Sequence, residues 1–294
     1  MPETLLPAMV CAGPFGKSNI LRGWQERATR SMSVGIHVTQ DFPRVQDSIV
    51  VFCLCFGMIW MAGMQSFGLT GRHASMLVQV SLILIPVLYC KIRGWKIRHV
   101  FCLNPPRIPD LLAGTFLAAG LQLCFWIAGS TMLEYVSHAR YASVSLASLA
   151  FDTNFLFSFL ILVLAPAIGE EFLFRGFIAS GFSSIGRKAT VILGSLFFAL
   201  IHLDIYRLLF VFIAGIVFGI VREKTQSLYV VMWMHFVHNS IPFVLLRTSS
   251  SFAEFVIGSE TNKTLCFIGG LLLCAVGIIG FSAGSKTHDK GLRT

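Results

Sequence analysis

Long apolar runs, separated by short polar or basic segments, make up most of the chain after residue 47. Each run is about as long as a helix that crosses a hydrocarbon layer of ~30 Å. The pattern therefore predicts an all-α, polytopic membrane protein with about eight transmembrane helices, whose termini lie on the same side. The predicted spans are residues 48–69, 74–90, 111–133, 154–182, 188–204, 208–221, 227–247 and 264–283.

Composition supports this fold class and changes what the net charge means. The 294 residues are 55% hydrophobic and 13% charged, whereas an ordinary soluble domain is about 25% charged. A formal net charge of +9 would suggest nucleic-acid binding on a soluble protein. On a membrane protein it marks the cytoplasmic segments. Most of the 23 Lys and Arg lie on one predicted side, so we expect cytoplasmic termini and no nucleic-acid partner.

The predicted domain organisation has three parts. Residues 1–47 are expected to form a cytoplasmic segment, either a basic interfacial helix or a disordered tail. Residues 48–284 form the transmembrane domain, and residues 285–294 a cytoplasmic tail. Within the sixth span, Gly215 and Gly219 form a GxxxG motif, which allows neighbouring helices to approach closely.

Charged residues interrupt the fourth predicted span, where they are costly and are therefore functional candidates. Glu171 and Arg175 are four residues apart, so they lie on one helix face and can pair. Glu170 points about 100° away, which leaves it available for proton chemistry. Pro166 removes a backbone hydrogen bond one turn earlier. The alternative interpretation is a structural ion pair with a spare glutamate.

Histidines form two further groups in later spans. His202 follows Phe198 by four residues, and His235, His238 and Asn239 lie together in the seventh span. Helix–helix hydrogen bonding is the structural alternative for these side chains. At about 1.5 Å per residue, however, the three groups lie at a similar predicted depth, which favours one shared site.

A carboxylate, histidines and an amide at one site suit two kinds of chemistry. Glu170 and His202 can hold and deprotonate a water, while His235 and Asn239 stabilise an oxyanion. The same set, through Glu170, His202 and His235, can alternatively bind Zn²⁺. The spacing leaves both mechanisms open. The sequence has no HExxH, GxSG or GxGD motif, so it gives little support to other intramembrane protease classes.

These residues carry a resemblance to a known family. EEFLFR (170–175) matches EExxxR, FALIH (198–202) matches FxxxH, and HFVHN (235–239) matches HxxxN. In that order, on successive apolar helices, they resemble the CPBP family, also called the Abi or CAAX-protease-and-bacteriocin-processing family. The resemblance covers about residues 110–245 and is most specific in the ordered set of three motifs.

The resemblance implies an eight-helix intramembrane endopeptidase that acts on membrane-associated peptides or protein termini, with prenylated CAAX proteins as a narrower option. It implies catalytic roles for Glu170, His202, His235 and Asn239. Supporting roles fall to Glu171, Arg175, His238 and Phe198. No cofactor is required in the glutamate mechanism, and zinc stays as the alternative. A non-proteolytic immunity factor or scaffold of the same fold is the other alternative. The expected location is a bacterial inner membrane, or the endoplasmic reticulum in a eukaryote.

Overall fold

The computed structural model describes residues 42–63, 71–135, 154–248 and 258–291. Most of the predicted N-terminal segment 1–47 and the last three residues of the predicted tail lie outside these ranges. The described residues form eight long helices and one short turn of helix, Ile97–Val100. The long helices are α1 (Val45–Gly63), α2 (Gly71–Arg93), α3 (Ile108–Tyr135), α4 (Phe155–Ile185), α5 (Arg187–Leu200), α6 (Leu208–Thr225), α7 (Leu228–Thr248) and α8 (Glu260–Gly291).

Six of these helices are long and apolar enough to cross a membrane, namely α1, α2, α3, α4, α7 and α8. The polytopic all-α class is thus confirmed, but the count of eight spans is not. Helix α5 has only 14 residues, about 21 Å of helix. It ends before His202, which the predicted span 188–204 had included. Helix α6 ends in three consecutive charged residues, Arg222, Glu223 and Lys224.

Helix α4 is the centre of the bundle, because it packs against α1, α2, α5 and α7. Two of its segments, Leu160–Leu164 and Phe172–Ile178, form wider π-helical turns. The first of these immediately precedes the turn that contains Pro166, whose ring nitrogen has no hydrogen to donate. Such wide turns are frequent at functional sites.

Helices α5 and α6 form a closely packed hairpin beside α4. A methyl group at Gly215 would lie 2.9 Å from the Ser195 side chain, and one at Gly219 would lie 3.2 Å from Val191. A side chain at position 215 would therefore force the two backbones apart, and one at position 219 would require Val191 to shift. The close approach predicted from the GxxxG motif is present.

Helix α8 packs chiefly on α3 and leaves its other face open. Leu265, Leu272 and Ile279 on that face are each more than 60% exposed. A helix that is apolar on both its packed and its exposed face is suited to a lipid environment. The exposed apolar face of α8 is therefore consistent with a helix that crosses a membrane and contacts lipid.

Candidate active site

The Glu170 side chain lies where α2, α4 and α7 meet the turn after α5. Its Oε1 accepts a hydrogen bond from the Gln79 amide of α2 at 3.3 Å. Its Oε2 lies 3.9 Å from His202 Nε2 and 3.8 Å from His235 Nε2. The Glu170 side chain is 13% exposed, so it is largely buried yet remains accessible. Histidines from two predicted motifs therefore converge on one carboxylate oxygen of the glutamate from the third.

The adjacent glutamate has a different environment. Glu171 is fully buried, and its Oε1 accepts from Arg175 Nη1 at 2.9 Å and from His235 Nδ1 at 2.7 Å. The ion pair predicted from the four-residue spacing is present. Arg175 also donates to the Gly215 carbonyl of α6 at 3.3 Å. Glu171 thus joins α4 to α7, and its Oε1 is already hydrogen-bonded to Arg175 and His235.

Hydrogen bonds of the two histidines fix which ring nitrogen faces Glu170. His202 Nδ1 lies 2.8 Å from the Phe198 carbonyl oxygen, and a carbonyl can only accept, so Nδ1 carries the hydrogen. His235 Nδ1 likewise donates to the Glu171 carboxylate. In the neutral form, each ring therefore directs an unprotonated Nε2 toward Glu170.

Phe198 provides an apolar wall behind these groups. Its ring is 4% exposed and lies edge-on to His202, with centroids 5.0 Å apart. The Arg175 guanidinium lies over the same ring at 4.2 Å, which is within the range of a cation–π contact. Phe198 therefore contacts both the site histidine and the cation that neutralises Glu171.

For two predicted site residues, no hydrogen bond or ion pair with Glu170 is found among the described residues. The His238 ring lies edge-on to Phe125 and Phe218, at 5.9 and 6.0 Å, and its Nδ1 has no hydrogen-bond partner among the described residues. Asn239 follows His235 by one turn of α7. Within the described part of the chain, no hydrogen bond of its amide is found.

Two residues near the site were missed by the sequence analysis. Gln79 is a single amide inside an apolar span, and that isolation was the available signal. Arg222 was counted among the basic residues that set topology, yet it is 1% exposed. Its Nε donates to the Arg175 carbonyl at 3.0 Å. Sequence position alone does not distinguish a buried arginine from a cytoplasmic one.

The donor types around Glu170 are those of catalytic zinc sites, but their spacing differs. The Oε2–Nε2 separations of 3.8 and 3.9 Å exceed the roughly 3.3 Å expected between ligands of one tetrahedral zinc. Among the residues described, no group of three or more His, Cys, Asp or Glu side chains is arranged to hold a metal ion. The arrangement as it stands does not fit zinc.

Comparison with known proteins gives one match. Residues 152–241 match the family described as Rce1-like, type II CAAX prenyl endopeptidase. No curated protein and no solved structure matches the chain. The matched segment contains all three motifs, from Glu170 to Asn239. With six membrane-length helices, the chain is an integral, multi-pass membrane protein, and residues 152–241 of it are similar to a family of CAAX-type endopeptidases. The match of residues 152–241 to the Rce1-like family confirms the resemblance that the ordered motifs predicted.

Proposed function

We propose that this protein is an intramembrane endopeptidase that hydrolyses a peptide bond of a membrane-associated peptide or protein terminus. The observation that carries the proposal is the convergence of His202 Nε2 and His235 Nε2 on one oxygen of Glu170. Three hydrogen-bond acceptors that face each other in a largely buried site repel one another unless a proton donor lies between them. A water molecule is the simplest such donor, and it is also the nucleophile of peptide hydrolysis.

The first step is water activation. A water between Glu170 and His202 donates a hydrogen to each, which orients its lone pair toward a bound substrate carbonyl. As the water oxygen bonds to the carbonyl carbon, Glu170 takes one proton of the water and the other stays on the attacking oxygen. The π electrons of the carbonyl bond move onto the carbonyl oxygen. The product of this step is a tetrahedral oxyanion beside a neutral, protonated Glu170.

The oxyanion needs hydrogen-bond donors. His235 Nε2 is an acceptor in the neutral ring, so it can donate to the oxyanion only after the ring has taken a proton from solvent before the reaction, a proton that it keeps throughout. The Glu171 carboxylate on its other nitrogen then balances the charge. The Asn239 amide, one helical turn away, is the second donor that we assign. Protonated Glu170 then gives its proton to the amide nitrogen, the carbon–nitrogen bond breaks, and a carboxyl and an amine are released.

The substrate class follows from the membrane location and the family. The Rce1-like family is described as a prenyl endopeptidase of CAAX sequences, which favours a substrate that reaches the site from the lipid. We propose membrane-associated peptides or protein termini in general, with a prenylated CAAX terminus as the first substrate to try. The same peptide without its prenyl group tests whether the lipid is needed.

The test is cleavage of a fluorogenic prenylated CAAX peptide by the purified protein in proteoliposomes. Glu170→Gln and His202→Ala should each lower kcat by about a thousandfold or more, because removal of a general base costs about 10² to 10⁴ in rate. Glu260→Gln is the matched control for kcat, since Glu260 is 86% exposed at the start of α8; because it removes the 2.9 Å ion pair with the buried Lys263, rates are compared per amount of folded protein. Native activity of Glu170→Gln would refute the glutamate mechanism.

Two alternatives are separated in the same preparation. A zinc enzyme should contain about one zinc per chain, lose activity to a chelator and regain it with added Zn²⁺. A non-proteolytic protein of this fold should cleave neither prenylated nor unprenylated peptide and should be indifferent to Glu170→Gln. The glutamate mechanism predicts activity that survives chelation and disappears in that variant.

A further inference from the structure

Gln79 of α2 hydrogen-bonds the Glu170 carboxylate. Its Nε2 donates to Glu170 Oε1 at 3.3 Å, whereas the two histidine nitrogens lie near Oε2. The two carboxylate oxygens are therefore distinguished by their partners. Gln79 lies outside the matched segment 152–241, so neither the three motifs nor the family match assigns it a role.

The orientation of the Gln79 amide is chemically determined. An ionised carboxylate only accepts hydrogen bonds, so the NH₂ group and not the oxygen must face Glu170. The Gln79 Oε1 is then directed away, where it is buried without a partner among the described residues. Leaving an acceptor unsatisfied has a cost, and the hydrogen bond to Glu170 is the interaction gained in exchange.

Gly169, which precedes Glu170, leaves the space that this contact requires. A methyl group at Gly169 would lie 2.8 Å from the Gln79 carbonyl oxygen and 3.0 Å from its side-chain oxygen. Real side chains essentially never come that close, so any larger residue at position 169 would push α2 away from α4. The glycine that precedes Glu170 therefore allows α2 to bring its amide against the carboxylate.

We propose that Gln79 is a positioning residue that orients the Glu170 carboxylate for water activation. By holding Oε1, it turns Oε2 toward His202 and His235. The donor is neutral, so it orients Glu170 without supplying the positive charge that Arg175 gives to Glu171. This inference rests on the proposed function of Glu170 as the base.

The test compares Gln79→Met and Gln79→Glu in the proteoliposome cleavage assay. Met has a similar length without polar atoms. Glu has the same shape but places a second carboxylate against Glu170, so the two either repel each other or share a proton, and the neutral N–H donor is lost in both cases. We expect kcat to fall about tenfold or more in both variants, with KM unchanged within about twofold, because orientation and not substrate binding is lost. Val80→Met is the control, since it places the same side chain one position along, on an exposed part of α2.

The kcat values of Glu170→Gln and Gln79→Met distinguish a failure of the positioning role from a failure of the proposed function. If Glu170→Gln is inactive and Gln79→Met keeps the native kcat, the inference is overturned while the proposed function stands. If Glu170→Gln itself retains native activity, the proposed function fails. A packing role for Gln79 would instead give a near-native Met variant, or a loss of folded protein in both variants, and either result overturns the positioning role.

Discussion

Glu170 and Glu171 are adjacent in sequence, yet their carboxylates have different partners. Successive residues of a helix point about 100° apart, so one carboxylate faces Gln79 and two histidine Nε2 atoms while the other faces Arg175 and His235 Nδ1. A buried charge is tolerated when it is paired and hydrogen-bonded. Glu171 meets that condition through its Oε1, which both Arg175 and His235 contact, while its Oε2 has no hydrogen-bond partner among the described residues. We therefore propose Glu170 as the carboxylate that exchanges protons.

Arg175→Met should destabilise the protein strongly. It removes the cation from a fully buried Glu171, and breaking a buried ion pair on one side costs about 3–5 kcal/mol. The thermal unfolding midpoint in detergent should therefore fall clearly. The double variant Glu171→Gln/Arg175→Met should recover part of this loss, because no uncompensated charge remains.

The matched control for that prediction is Lys91→Met, since Lys91 is exposed at the end of α2. Its unfolding midpoint should stay close to that of the native protein. An Arg175→Met protein as stable as this control would show that Glu171 is not held as an ion in the folded state.

The wide turn Phe172–Ile178 of α4 is stabilised from outside the helix. Arg222 of α6 donates to the Arg175 carbonyl at 3.0 Å and to Cys102 Sγ at 3.3 Å, and pairs with Glu223 at 2.6 Å. A guanidinium has several donors in a planar fork, so one side chain can reach all three groups. Helix α6 thereby fixes the backbone from which Arg175 extends.

Arg222→Met should therefore lower the free energy of unfolding by about 2–4 kcal/mol, because it leaves buried polar groups without partners. Arg222→Lys should recover little, since an ammonium lacks the planar fork. Chemical denaturation monitored by tryptophan fluorescence measures both. Arg98→Met, at an exposed arginine, is the control, and equal stability of Arg222→Met and Arg98→Met would contradict the role.

Gly169→Ala tests the packing of α2 on α4. The added methyl would collide with the Gln79 backbone at 2.8 Å, so the helices must separate and the Glu170–Gln79 contact must lengthen. We expect lower kcat and a lower unfolding midpoint. In Gly57→Ala the methyl meets nothing within 4 Å, and this control should be neutral or slightly stabilising. The prediction fails if both alanines behave alike.

At the scale of the whole molecule, the orientation in the membrane is a prediction from charge. Basic residues concentrate on one side of the predicted spans, and such segments stay in the cytoplasm. A green fluorescent protein fused after Thr294 should fluoresce in a bacterial host, and alkaline phosphatase fused after Gly258, before α8, should be active. Phosphatase activity after Thr294 would reverse the proposed orientation.

Much of the fold could be predicted because lipid imposes long apolar helices on the sequence. All eight predicted spans overlap a helix of the described structure. The predicted count of eight spans is not confirmed, because α5 has only 14 residues and the 18 residues of α6 include Arg222, Glu223 and Lys224. The end of α5 before His202 is likewise a local feature that hydropathy does not detect.

The sequence by itself determined the helical membrane class, the ordered motifs and the pairing of Glu171 with Arg175, since these depend on hydropathy and on local spacing along one helix. The sequence placed Glu170, His202 and His235 at a similar predicted depth, but only the tertiary structure decided which of their atoms face each other. It also decided that Gln79 contacts Glu170 and that Arg222 is buried. Those contacts join residues far apart in the chain, and they depend on how helices pack, which no local pattern encodes.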